Sequence, residues 1–241
     1  MAMHVLVACE ESGVVCAAFR ARGHLAWSVD LQPTSGLLPA YHIQGNVLDH
    51  LAQAPDGCAW DLMLAFPSCQ YLTVAGNRWN HDPQDKHLPE AERRPHPRFP
   101  NRKAKRLAAV AFVKRLWAAD IPRVCIENPG RSRLSTLWQP PTQQIHPYHF
   151  GTPVQKKTGL WLRGLPELEH GTWVKPEMYT YKNKKNGVKK CESMWYYKTL
   201  SLPPAERSKA RSKTFPAIAL AMATQWAPDI APGKPQFPKA P

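Results

Sequence analysis

The chain has 241 residues, enough for one domain with a sizeable core, or one domain and a small insert. Hydrophobic residues make up 43% of it, which argues against a disordered polymer, and 32 Lys and Arg against 18 Asp and Glu leave a formal charge of +14. A balance this basic points to a polyanionic partner, nucleic acid first. No apolar run is long enough to span a bilayer, so no membrane is expected. The opening MAMHVLVACEESG lacks the basic region and long apolar run of a signal peptide, and a cytoplasmic protein is expected. The six cysteines show no CxxC and the ten histidines no ligand spacing, so reduced thiols and no metal are expected.

HVLVAC (4–9) reads as a buried strand. GVVCAAFRARG (13–23) has helical spacing and stops at Gly23, and HLAWSVD (24–30) is a second strand ending in an acid. YHIQGNVLD (41–49) is a weaker strand and turn, and WDLMLAF (60–66) a fourth strand. Residues 67–102 read as a long loop, in which His81, His87 and His96 are expected to be solvated. KAKRLAAVAFVKRLWAAD (103–120) is an amphipathic helix with apolar positions at 107, 110, 113, 116 and 117, and RVCIEN (123–128) is a strand running into Pro129. TGLWLRG (158–164) is another strand. Residues 165–213 show little periodicity, and TFPAIALAMATQW (214–226) returns to helical spacing. Strands alternating with helices over short turns predict an α/β, Rossmann-like doubly wound sheet. The expected division is a main domain of 1–164 plus 214–226, a small basic segment at 165–213 and a proline-rich disordered tail at 227–241.

Two basic clusters stand out. Residues 86–106 carry eight Lys or Arg against two Glu and read as a solvated loop. Residues 175–213 carry eleven against three Glu, mixed with Tyr179, Tyr181, Trp195, Tyr196 and Tyr197. Cations among aromatics can pair with phosphates and stack on bases, or simply be a solvated loop over packed rings.

Ligands of open α/β sheets gather at the carboxyl ends of the strands. There the chain offers ACEESG with Gly13 opening a helix, Asp30, Asn46 with Asp49, Pro67-Ser68-Cys69-Gln70, and Glu127-Asn128-Pro129. A tight turn and an acid after the second strand suit a cofactor carrying a ribose. With one glycine the turn is not a dinucleotide fingerprint, and a nucleoside cofactor such as S-adenosylmethionine suits it better. Cys69 and Glu127 end neighbouring strands and can face one pocket. A thiolate nucleophile with a protonated carboxyl beside it suits attack on C6 of a pyrimidine.

In this order the residues resemble the DNA cytosine-C5 methyltransferases. That family carries Pro-Cys-Gln, then Glu-Asn-Val, then Gly-x-Pro-Gln-x-Arg-x-Arg before a strand. This chain has Ser68-Cys69-Gln70, Glu127-Asn128-Pro129 and FGTPVQKKTGLWLRG (150–164), with FPAIALAMA (215–223) like the family's closing segment. The likeness spans most of residues 4–226 and is nearest to the small phage and prophage members. It implies a DNA methylation enzyme of a bacterial or phage-infected cell, with S-adenosylmethionine as cofactor and DNA as partner, RNA being possible. The catalytic residues would be Cys69, Glu127 and Lys157. The cofactor would meet Ala8, Cys9, Glu10, Ser12, Gly13, Asp30, Leu31, Asn46, Asp49 and Pro67. Gln70, Asn128, Lys156, Lys184, Lys185 and Arg211 would lie on the substrate side, and a duplex target would be flipped out. A monomer is favoured.

The departures are specific. The glycine-rich first motif is ACEESG, Asn46 stands where an acid is usual, and Pro-Cys has become Ser-Cys. Lysines replace the arginine pair, with Val154 as an inserted residue, so bidentate contacts are lost. Segment 165–213 is short for a sequence-reading domain. The alternatives are an RNA cytosine methyltransferase and a nucleic-acid-binding protein that has lost the reaction. An amino-group methyltransferase ranks below them, because Phe66-Pro67-Ser68-Cys69 supplies neither the acid nor the aromatic it needs.

Overall fold

The computed structural model describes residues 1–36, 38–183 and 186–227. The chain opens with β1 (His4–Ala8), α1 (Val14–Ala21), β2 (Leu25–Asp30), β3 (His42–Gln44) and β4 (Leu62–Ala65). α2 (Arg102–Trp117), β5 (Arg123–Pro129), a short α3 (Leu134–Leu137), β6 (Gln143–Ile145) and β7 (Thr158–Arg163) follow. Then come β8 (Met178–Lys182), β9 (Lys189–Ser193), α4 (Met194–Lys198), α5 (Pro204–Ser212) and α6 (Pro216–Trp226).

Seven strands form one sheet in the order β3-β2-β1-β4-β5-β7-β6. The first five are mutually parallel, and β7 runs antiparallel to both β5 and β6. The protein is therefore α/β with a mostly parallel sheet, compatible with a Rossmann-like fold. Parallel strands covered on both faces read as continuous apolar runs, and β1 and β4 are such runs.

Two cores flank the sheet. On one face α1 (Val15, Cys16, Phe19) and α6 (Ile218, Met222, Ala223, Trp226) pack over Val5, Val7, Leu64 and Cys125. On the other, α2 supplies Val110, Val113 and Leu116 against Leu6, Met63, Val124, Ile126 and Trp161. Alternation along β5 thus sends Cys125 to the α1 face and Ile126 to the α2 face.

Three expectations are corrected. Leu107 is 63% exposed, and the inward stripe of α2 runs instead through Arg102, Arg106, Val110, Val113 and Leu116. The first turns of α2 pack on the 70–77 loop, whose carbonyls need donors rather than methyls. His96 is buried between Trp79 and Phe99, with ring centroids 5.1 and 5.3 Å away, and His81 is largely covered beside Glu90. His87 is exposed as expected. Segment 165–213 is more ordered than its weak periodicity suggested. It carries the separate β8–β9 hairpin, α4 and α5. Of the expected proline-rich tail, 228–241 lies outside the described residues.

Candidate functional site

Strand order reverses at β1, which lies between β2 and β4. A crevice at such a switch point opens over the carboxyl ends of the strands. β1 ends at Ala8, whose carbonyl accepts from Phe66 N at 2.9 Å, and Cys9 N donates to Val29 O at 2.7 Å. Cys9 adopts φ +59°. That is the left-handed region, costly for a residue with a Cβ, and such strain concentrates at ligand sites.

Glu10 turns into the protein and is 5% exposed. Its carboxylate accepts from Val15 N at 2.7 Å, Cys16 N at 3.2 Å and the Ser12 hydroxyl at 3.2 Å. It thereby occupies the amino terminus of α1, where a phosphate would otherwise sit. Burial pushes its pKa up, and the N–H donors pull against that rise. Burial and the neighbouring Asp30 push the Cys9 thiol up to about 12, so Cys9 is no thiolate at neutral pH. Asp30 stands at the end of β2, its Oδ1 accepting from Gln32 N at 2.8 Å, with Leu31 69% exposed beside it. The 34–36 loop folds back onto the first turn: Thr34 Oγ1 and Ser35 N both donate to Glu11 O. Asn46 caps the turn that follows β3, accepting from Leu48 N at 3.2 Å. Asp49 faces a different groove of about 330 Å³, with Ile43, His50 and Gln53.

The Cys69 loop is held from two sides. Asn128 Nδ2 donates to Pro67 O at 3.0 Å, fixing the start of the loop to β5. Among the described residues nothing pairs with the buried Oδ1 of Asn128. From α2, Arg102 donates to Gln70 O (3.0 Å) and Gly76 O (3.1 Å), and Arg106 to Tyr71 O (2.8 Å) and Asn77 Oδ1 (2.9 Å). The Arg102 guanidinium fills the space a side chain at Gly76 would need. Leu72 N and Thr73 N close a turn on Cys69 O, both at 3.0 Å. These arginines carry no motif. Only their helical spacing with Val110 and Val113 could have marked them as inward.

Cys69 and Glu127 end the adjacent parallel strands β4 and β5, paired through Ala65 and Ile126. Each keeps some contact with solvent while protein surrounds it. Burial pushes the Cys69 thiol up, Glu127 adds to the rise and Lys156 opposes it. Burial likewise pushes the Glu127 carboxyl up, against the pull of Lys156. The three groups therefore feel one another, and a carboxyl held toward its neutral form can donate a hydrogen bond.

Lys156 and Lys157 divide. Glu127 pairs with Leu160 of β7, so even-numbered residues there share the Glu127 face. Lys156 continues that parity; its Nζ donates to Arg211 O at 2.9 Å and lies near the Trp195 and Phe215 rings. Lys157 is exposed and lies against Gly130; burial foremost, then His149 and Lys157, bring the pKa of His146 down to about 4. The cation at the thiol is thus Lys156, where Lys157 was expected. Arg211 donates to Thr199 Oγ1 (2.8 Å) and Tyr196 O (3.2 Å) and stacks on Tyr196. Its helix α5 also brings Lys209 Nζ to 3.7 Å from Glu11. α5 therefore touches both the first turn, through Lys209, and Lys156, through the Arg211 carbonyl. Lys184 and Lys185 lie outside the described residues.

A groove of about 370 Å³ adjoins the Cys69 loop, between Pro67, Ser68, Gln70 and Tyr71 and the α2 residues Lys105, Ala108, Ala109 and Phe112. Its lining includes both chain neighbours of Cys69 but not Cys69 itself. No helix among the described residues is long and apolar enough to cross a membrane. No protein-family model and no curated protein matches the chain.

Proposed function

We propose that the protein is an S-adenosylmethionine-dependent DNA cytosine-C5 methyltransferase. The observation that carries this reading is the convergence of Cys69, Glu127 and Lys156 at the carboxyl ends of adjacent strands, beside the switch point of the sheet. A nucleophile next to an acid is what addition to C6 of a pyrimidine requires.

The first turn suits a nucleoside cofactor. Glu10 fills the amino terminus of α1 with its own carboxylate, so a pyrophosphate would have to displace it. Asp30 would hold ribose hydroxyls, and Pro67 lines the apolar groove in which a ring could lie. S-adenosylmethionine, when bound, supplies an electrophilic methyl group.

Cys69 acts first. Its resting thiol is raised, so its proton must pass to solvent as the target base enters. Lys156 favours the thiolate by its charge. The sulfur then bonds to C6 of cytosine while Glu127 donates to N3, drawing off the electron density that would build there. Once C5 carries the methyl group, its proton passes to solvent, the C6–S bond breaks to release the Cys69 thiolate, and N3 returns its proton to Glu127, which restores the ring. Basic residues of β8–β9 and the stacked Tyr179 and Tyr197, with centroids 4.1 Å apart, supply phosphate and base contacts.

The test is a DNA duplex of mixed sequence with 5-fluorocytosine, given with S-adenosylmethionine. Fluorine cannot leave as a proton does, so a covalent complex should accumulate, map to Cys69 by mass spectrometry and vanish in Cys69→Ala. A second reading, a nucleic-acid-binding protein without the reaction, is favoured by the raised thiol. Duplex binding with no adduct on DNA or on the matching fluorinated RNA would select it. An adduct on RNA alone would move the substrate to RNA.

A further inference from the structure

At the opposite end of the sheet a second group of ligating side chains converges. His4 begins β1, and the loop leading into β4 carries Asp56, Cys58 and Asp61. β1 and that loop are tied by reciprocal bonds: His4 N donates to Asp61 Oδ2 at 2.8 Å, and Asp61 N to His4 O at 2.9 Å. Gly57, at φ +83°, makes the turn between Asp56 and Cys58, which no side-chain-bearing residue would adopt readily. Cys58 N donates to Asp56 Oδ1 at 3.1 Å, and Ala54 N to Cys58 O at 2.8 Å, so the turn is pinned.

One imidazole nitrogen, one carboxylate oxygen and the Cys58 sulfur lie within 4.8 Å of one another. His4 Nε2 stands 2.9 Å from Asp56 Oδ2. Its other nitrogen, Nδ1, faces Asp61 Oδ2 at 3.9 Å. A carboxylate behind the second ring nitrogen is the usual support of a metal-bound histidine. The ring is also steadied by Trp27, stacked at 6.2 Å with an interplanar angle of 6°.

We propose that His4, Asp56 and Cys58 form a binding site for a borderline transition-metal ion, Zn²⁺ foremost. Bond lengths of about 2.0 Å to nitrogen and oxygen and about 2.3 Å to sulfur place tetrahedral ligands about 3–4 Å apart. Asp56 and Cys58 are exposed, so small rotations of their side chains reach that spacing. The ion displaces the thiol proton to solvent, bonds Cys58 Sγ, His4 Nε2 and one Asp56 oxygen, and leaves a fourth position for water. A nitrogen, oxygen and thiolate set excludes Mg²⁺ and Ca²⁺, which prefer oxygen alone. The site clips the start of β1 to the approach of β4. No sequence spacing marks it, because positions 4 and 56–58 meet only through β1–β4 pairing.

The test is a Co²⁺ titration of the reduced full-length protein, followed by absorbance. The expected result is a thiolate-to-cobalt charge-transfer band that saturates at one ion per chain and is discharged by Zn²⁺. Cys58→Ser should abolish the band, and His4→Gln should weaken binding at least tenfold. Zn²⁺ should raise the melting temperature of the wild type and not of Cys58→Ser. The two proteins should melt alike without metal, because Cys58 is exposed. No band, or a band unchanged in Cys58→Ser, would overturn the proposal.

Discussion

Two stretches of this chain are rich in cations and place them in opposite ways. In 86–106 the cations that matter point inward: Arg102 and Arg106 are buried and hold four oxygens of the 70–77 loop. Arg94 pairs with Asp85 at 2.8 Å and holds its carboxyl down at about 2. In 175–213 the described lysines stand out in solvent, on a two-stranded ribbon and its flanks. Residue type explains the difference better than charge does. A guanidinium presents a rigid fork that can satisfy several carbonyls at once and tolerates burial, whereas an ammonium keeps its water. The two clusters separate once the question is how many fixed acceptors each cation meets.

The strongest way to break that comparison is at α2. Arg106→Ala leaves Tyr71 O and Asn77 Oδ1 without their donor, and should cost about 2–3 kcal/mol. For a chain of this size that is a fall of about 4–12 °C in melting temperature. Arg106→Lys should recover only part of it. If Arg106→Ala melts with the wild type, the inward role of this cluster is wrong.

Next in size is the ribbon. If the protein binds DNA as proposed, replacing Lys182, Lys189 and Lys190 with Ala should leave the melting temperature unchanged and weaken duplex binding about tenfold or more. The salt dependence of the binding constant should become shallower by about three counterions. A lower melting temperature with an unchanged salt slope would place these lysines with the arginines.

The finest test concerns Lys156, a lysine turned toward other groups. Alkylation of Cys69 by iodoacetamide, followed by peptide mass spectrometry across pH, reads its thiolate. Burial and Glu127 raise this thiol and Lys156 lowers it. Glu127→Gln should therefore move the alkylation profile to lower pH, and Lys156→Met to higher pH. Lys157→Met should leave it in place. A shift with Lys157 rather than Lys156 would reverse the assignment made from strand parity.

Much of the main sheet could be read in advance, for a physical reason. β1, β2, β4, β5 and β7 are covered on both faces, so each is an apolar run bounded by turn residues. β6 could not: Gln143-Gln144-Ile145 carries no pattern and pairs only because β7 runs back beside it. β9 is largely exposed and β8 only half-buried, so neither shows the continuous apolar run of a strand covered on both faces. Cys69 and Glu127 were visible as chemistry placed at strand ends. The support around them was not, because Arg102, Arg106 and Lys156 act through distances that only the packed α2 and the β5–β7 register create.

The two outermost strands carry a further consequence. β3 and β6 are three residues each, with Pro39 shortly before β3 and Pro140, Pro141 and Pro147 around β6. An unpaired sheet margin is a template on which another chain can add, and its danger grows with its length. Here both margins of the main sheet are only three residues long, which keeps that template short. A chain of 25 prolines has placed several of them where they discourage strand addition to the main sheet.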